Sequence, residues 1–135
     1  MKKLKSCGIL MACMLFLVGC TLLSEEKVKL RDLDFTVLSE EKIPEQLMAV
    51  IEEKKAAPFH VTYTDNDNLY ICVGYGEQET GGYSIAVDEL YLTDSNIYAA
   101  TSLLGPDASD KTTSVPSYPY IVIKTEYLEQ TVTFE

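Results

Sequence analysis

Two residues of this sequence could together support thiol chemistry, the single histidine His60 and Cys72. The alternation of apolar and polar residues around them predicts a β-hairpin. A register that pairs Val61 with Ile71 places His60 opposite Cys72 on one face of that hairpin. However, thiol catalysis also needs a group that orients the base, and none is evident, while a lone cysteine is usually a small buried hydrophobe. We therefore predict no catalytic residue and no enzyme activity.

A second candidate for chemistry is the glycine-rich stretch Gly74-Tyr75-Gly76-Glu77-Gln78-Glu79-Thr80-Gly81-Gly82-Tyr83. Its spacing partly resembles phosphate-binding loops, but Glu79 occupies the third glycine position of the dinucleotide fingerprint. The Lys and Ser or Thr that a phosphate loop needs after Gly81 are also missing. We predict no nucleotide, no other cofactor and no metal at this stretch.

The same stretch is typical of a tight loop between two β-strands, because glycine tolerates positive φ and close backbone approach. A loop stiffened in this way loses little entropy when it docks, and tyrosines supply amphipathic contact area. We predict a partner-binding loop made of Tyr75, Gly76, Glu77, Thr80, Gly81, Gly82 and Tyr83. One alternative stays open, in which the tyrosines are core or sheet-face residues and the glycines only turn the chain.

The N-terminal segment predicts export and lipid anchoring. Three lysines precede an apolar run that ends at Leu17-Val18-Gly19-Cys20, a match to the bacterial lipobox. Residues 1–19 are therefore predicted to be a signal peptide, and Cys20 is predicted to carry the lipid that holds the protein on the membrane. This predicts an extracytoplasmic location in the bacterial cell envelope. The alternatives are an uncleaved helical anchor and an ordinary secretory signal.

The remaining chain has room for one domain. The sequence has 135 residues, 47% of them hydrophobic and 24% charged, with a net charge of -10, which makes nucleic acid an improbable partner. Residues 20–32 are predicted to form a tether and residues 33–135 a single β-rich domain. Apolar residues at helical spacing from Ile43 to Ile51 predict one helix. The expected fold is mainly β with one helix (α+β), a small antiparallel sheet, sandwich or partly open barrel with an amphipathic helix packed on it.

Strand irregularities and loops complete these expectations. A phase change near Asp88-Glu89 predicts a β-bulge, and Gly105 to Pro116 reads as a long polar loop. Long loops in small domains are often functional, so this second loop is expected to contribute to the binding surface up to Ser117.

Two motifs resemble one known family. The segment Gly76-Glu77-Gln78-Glu79-Thr80-Gly81-Gly82-Tyr83-Ser84 is similar to the G-E-x-x-T-G-G-Y-S signature of the PrcB C-terminal domain family, except that Glu79 stands where a proline is common. The segment Ser117 to Lys124 resembles the closing Y-P-Y strand of the same family. Together the motifs extend the resemblance over residues 69–123.

This resemblance implies a non-catalytic, exported accessory subunit of an extracellular protease complex, with a protease or another envelope protein as its partner. The Thr80 to Tyr83 turn also looks, more loosely, like the loop with which chagasin-type inhibitors enter protease clefts. The competing hypothesis is a lipoprotein that binds a small ligand, a cation or an envelope polymer, in which Glu77, Glu79 and Asp88 recruit a cationic group.

Overall fold

The computed structural model describes residues 28–107 and 114–135, which form two β-sheets and one α-helix. This confirms the predicted class, mainly β with one helix. The strands are β1 (Arg31–Asp32), β2 (Thr36–Val37), β3 (Pro58–Thr64), β4 (Asn68–Tyr75), β5 (Ser84–Leu92), β6 (Asn96–Leu104), β7 (Tyr120–Glu126) and β8 (Thr131–Phe134). A 3-10 helix (Glu40–Lys42) and the helix α1 (Glu45–Lys54) lie between β2 and β3.

The first sheet has the strand order β1-β5-β6-β8, and the second has the order β2-β7-β4-β3. Neighbouring strands are antiparallel except for β6 and β8, which run parallel. The chain therefore crosses from the second sheet to the first after β4 and returns after β6. The chain also changes sheet after β1 and after β7, but the crossings after β4 and β6 are the ones that involve the loops predicted to be functional.

The second sheet is buried on both faces, so the domain has three layers. On one face, Ile71 and Ile123 pack with residues of the first sheet such as Ile97. On the other, Cys72 and Val122 pack with Leu47 and Ile51 of α1 and with neighbouring apolar residues. The alternation of side chains along a strand explains why successive residues of β4 enter different cores.

The structure corrects the predicted hairpin register by one residue. Val61 pairs with Cys72, and His60 pairs with Val73. Because one residue of slip moves a side chain to the opposite face, His60 and Cys72 lie on different faces of the second sheet. The glycine at position 74 accounts for the observed register, since a Cβ there would overlap the ring of its cross-strand partner Phe59.

Other local expectations agree with the structure. The helix begins directly after Pro44, and a register shift between Val87 and Glu89 marks the predicted bulge in β5. The extra residue of the bulge, Asp88, accepts a hydrogen bond from the Ser102 hydroxyl on β6.

At its N-terminal end the described chain is already part of the first sheet. The amide of Leu30 donates to the Leu92 carbonyl at 2.8 Å, and Arg31–Asp32 pair with β5. The residues at the end of the predicted tether, 30–32, are therefore held by the domain. The predicted signal peptide and Cys20 lie outside the described residues. Within the described ranges, no helix has the length and apolarity to cross a membrane.

Candidate functional site

The glycine-rich loop of residues 76–83 is the connection that carries the chain from β4 in the second sheet to β5 in the first. Gly76 and Gly82 have φ values of 77° and 88°. These left-handed conformations are costly for residues with a Cβ, which explains glycine at both ends of the crossing.

The start of the crossing packs against the turn between α1 and β3. A Cβ on Gly76 would lie 2.8 Å from Cδ of Pro58 and 3.0 Å from its backbone nitrogen. The amide of Glu77 donates to the Ala56 carbonyl at 3.3 Å. Close backbone contact therefore determines where the loop leaves the second sheet.

The middle of the crossing is hydrogen-bonded to the chain that leads into β7. Gln78 and Ser117 exchange two main-chain hydrogen bonds, with N···O distances of 2.8 and 3.0 Å. The Ser117 hydroxyl also donates to the Thr80 carbonyl at 2.6 Å. These contacts join the two predicted loops into one surface, here called the crossover surface, made of residues 76–83 and 117–119.

Gln78 and Ser117 carry this junction, yet neither stands out in the sequence. Ser117 was predicted as the end of the second loop and as part of the family-like closing segment, and Gln78 as part of the glycine-rich stretch and its family motif. Neither was predicted to be a binding or contact residue. An isolated β-bridge leaves no periodic signal, and its partners are far apart in the chain. Residues 108–113 of the second predicted loop lie outside the described residues.

The exposed rim of the crossover surface combines opposite charges with an aromatic ring. The Tyr118 hydroxyl donates to Oε1 of Glu77 at 3.0 Å, and this hydrogen bond raises the pKa of Tyr118. The Lys55 ammonium lies 5.5 Å from the centre of the Tyr118 ring. Tyrosine is enriched in protein-binding interfaces, and polar groups are typical of the solvent-accessible rim around them.

The predicted loop residues take different positions. Tyr75 is half-buried at the end of β4, and its hydroxyl lies 2.6 Å from Oγ1 of Thr101 on β6, so it links the two sheets. The ring of Tyr83 is also half-buried, next to Gly105. Glu77 and Gly82 are exposed, whereas Gly76 is buried.

Thr80 and Gly81 are half-buried and follow the junction with Ser117. The Thr80 hydroxyl donates to the Gly81 carbonyl at 3.1 Å. This local bond keeps the hydroxyl within the turn. Among the predicted residues, Glu77 and Gly82 are thus the most accessible to a partner.

The thiol that the sequence singled out is buried in the core next to α1. Burial raises the pKa of Cys72 to about 12, so the thiol stays protonated and unreactive at neutral pH. His60 instead stacks on Phe134 of β8, with ring centroids 4.0 Å apart. Among the described residues, no cluster of three or more His, Cys, Asp or Glu side chains could hold a metal ion.

These features define the class of protein: a three-layer α+β domain with two sheets joined by a tightly bonded crossover. Residues 69–126 match the family model described as PrcB C-terminal, which confirms the predicted resemblance and extends it three residues beyond the predicted end at 123. The match spans β4 to β7 and so includes the whole crossover surface. Neither the curated proteins nor the solved structures contain a significant match to this chain.

Proposed function

We propose that this chain is a lipid-anchored, extracytoplasmic module that binds another protein through the crossover surface. Its partner is a protease or another protein of the bacterial envelope, and its role is that of a non-catalytic accessory subunit. The PrcB C-terminal match supports a role beside a protease complex. The lipobox ending at Cys20 supports anchoring and export.

The observation that carries the proposal is the junction of the two loops. Three hydrogen bonds hold Gln78 and Thr80 to Ser117, and a fourth connects Glu77 to Tyr118. A surface that is ordered before binding loses less conformational entropy in a complex than a free loop would. Glu77, Glu79 and Gly82 then remain exposed around it as contacts for a partner.

The test is crosslinking in native membranes followed by mass spectrometry, with Glu79→Arg as the perturbation. Glu79 is exposed, and reversing its charge should lower the yield of the crosslinked partner at least tenfold without unfolding the domain. Glu129→Arg is the matched control, because Glu129 is also exposed but follows the opposite end of β7. Equal partner yields from the two variants would contradict a partner site on the crossover surface.

A cleft favours the alternative of a small-ligand lipoprotein. It has a volume of about 520 Å³ and opens between β3 and β4 on one side and β6 and β8 on the other. Its lining includes Lys54, His60, Tyr75 and Phe134. Glu77, Glu79 and Asp88, which the sequence suggested for a cationic ligand, do not line it, so a ligand in this cleft would not depend on them. The alternative predicts that a small molecule raises the melting temperature, and that Thr101→Leu in the cleft abolishes the shift while Glu79→Arg leaves it unchanged.

A further inference from the structure

The strand β3 forms an open edge of the second sheet. It extends over seven residues, Pro58–Thr64, and β4 is its only pairing partner among the described residues. The other edge strands are shorter: β1 and β2 have two residues each, and β8 has four. β3 is therefore the longest edge strand, although the short β1 and β8 also leave parts of β5 and β6 without an outer partner among the described residues.

The hydrogen-bond alternation shows which backbone groups of β3 point outward. The Asp65 amide donates to the Asn68 carbonyl, so the bonded pairs between β3 and β4 fall at odd-numbered residues of β3. The Tyr75 amide donates to the Pro119 carbonyl, so the amides and carbonyls of odd-numbered β4 residues point toward β7. Those of even-numbered β4 residues then point toward β3, which agrees with this assignment. The amides and carbonyls of the even-numbered residues His60, Thr62 and Thr64 therefore face away from β4.

This edge has few of the features that usually prevent pairing. Its sequence Pro-Phe-His-Val-Thr-Tyr-Thr contains no lysine or acidic residue. Its register with β4 has no bulge, and its one proline, at the first position, removes only the first donor of the outward row and leaves those of His60, Thr62 and Thr64. A regular, uncharged edge of this length can accept another strand.

We propose that the β3 edge pairs with β3 of a second copy of this chain, antiparallel and around a twofold axis through Val61. The proposal goes beyond the proposed function because it uses a different surface. In this register His60 bonds with Thr62 of the second copy, and Thr64 donates to the carbonyl of Pro58. Both residues of each bonded pair are then even-numbered, and these are the residues whose amides and carbonyls face away from β4.

Side chains and charges are self-complementary in the same register. Phe59 pairs with Tyr63 of the second copy, an aromatic cross-strand pair, and Val61 faces its own copy. The C-terminal turn of α1, with Lys54, lies beside the acidic turn after β3 of the second copy. Twofold symmetry makes each such contact occur twice.

Co-purification tests the proposal. Two full-length copies with different affinity tags are co-expressed, extracted from membranes with a mild detergent and purified through one tag. We expect the wild-type second copy to be recovered and Thr62→Lys, in both copies, to lower its recovery at least tenfold, because the new charges would lie near the axis. Thr62→Val and Thr36→Lys are the controls and should retain wild-type recovery. Thr36 is an exposed residue on the opposite edge of the same sheet.

The substitution should leave the monomer folded, since Thr62 is exposed and its amide does not bond with β4. If Thr62→Lys nevertheless alters the circular dichroism spectrum, Thr64→Lys replaces it, with the same expected loss. A wild-type chain that recovers no second copy would overturn the proposal, even if another protein is captured. Undiminished recovery with the folded lysine variant would overturn it as well.

A disulfide test examines the register. A copy with His60→Cys and a copy with Thr62→Cys should form an intermolecular disulfide, because directly bonded cross-strand residues lie about 5.5 Å apart, within disulfide range. The chain without either substitution serves as the control, because it shows how much intermolecular disulfide the native cysteines form. A disulfide between two Thr62→Cys copies in place of the mixed pair would overturn the axis through Val61, and no disulfide in either combination would overturn the pairing.

Discussion

The substitution Gly76→Ala tests whether close packing determines the start of the crossover. Gly76 combines a φ of 77° with close neighbours: a Cβ would lie 2.8 Å from Cδ of the Pro58 ring and 3.2 Å from the Ala57 carbonyl carbon. The left-handed conformation costs a residue with a Cβ about 1–2 kcal/mol. Overpacking adds about 1–3 kcal/mol, because a proline ring and a backbone carbon cannot rotate away. The expected loss in the free energy of unfolding is therefore about 2–5 kcal/mol.

Two other glycines separate these contributions. Gly82 has a φ of 88°, so Gly82→Ala should cost about 1–2 kcal/mol from conformation. Gly105→Ala should be close to neutral, since its Cβ would lie 3.5 Å from the Tyr83 ring, an ordinary contact. The expected order of destabilisation is Gly76→Ala, then Gly82→Ala, then Gly105→Ala.

Denaturant unfolding followed by circular dichroism and tyrosine fluorescence measures this order, as the chain has nine tyrosines and no tryptophan. A loss of about 2 kcal/mol or more should also lower the melting temperature by roughly 10 °C in a domain of this size. The packing argument is refuted if Gly76→Ala unfolds with the same free energy as Gly105→Ala. It is equally refuted if Gly76→Ala costs no more than Gly82→Ala.

Two further predictions concern titratable groups. Because burial raises the pKa of Cys72 to about 12, peptide mapping should find this thiol unmodified by iodoacetamide at pH 8 in the folded protein and modified after unfolding. The amides of Asp67 and Asn68 donate to Oδ1 of Asp65 and lower its pKa. The ionised carboxylate therefore adds stability above its unfolded pKa of about 3.9, and this contribution is lost as pH falls through the lower folded pKa. Asp65→Asn should be less stable than wild type at pH 7, and the difference should shrink below about pH 4; a constant difference would contradict this assignment.

Local sequence features predicted most of the secondary structure. The spacing of Ile43, Leu47 and Ile51 predicted the helix, and all three side chains are buried. Alternating apolar residues predicted the long strands, and the phase change near Asp88 predicted the bulge. These features depend on residues close together in the chain, so a single sequence contains them.

The predicted register of the β3–β4 hairpin was wrong by one residue. Apolar residues on both faces of β4 permit either of two registers, since Ile71 and Cys72 are each suitable for a core. Contact between Phe59 and Gly74 distinguishes them, and it joins residues on different strands. Packing between the two strands therefore determines the register, and the observed register places His60 and Cys72 on opposite faces of the sheet.

The sequence by itself determined the composition of the candidate site: glycines where the backbone needs positive φ, and a motif shared with the PrcB C-terminal family. Only the tertiary structure decided which residues hold that site together. Gln78 and Ser117 meet because the chain crosses between sheets twice at the same end of the domain. Their main-chain hydrogen bonds depend on position and not on side-chain type, so no pattern of residues could have predicted them.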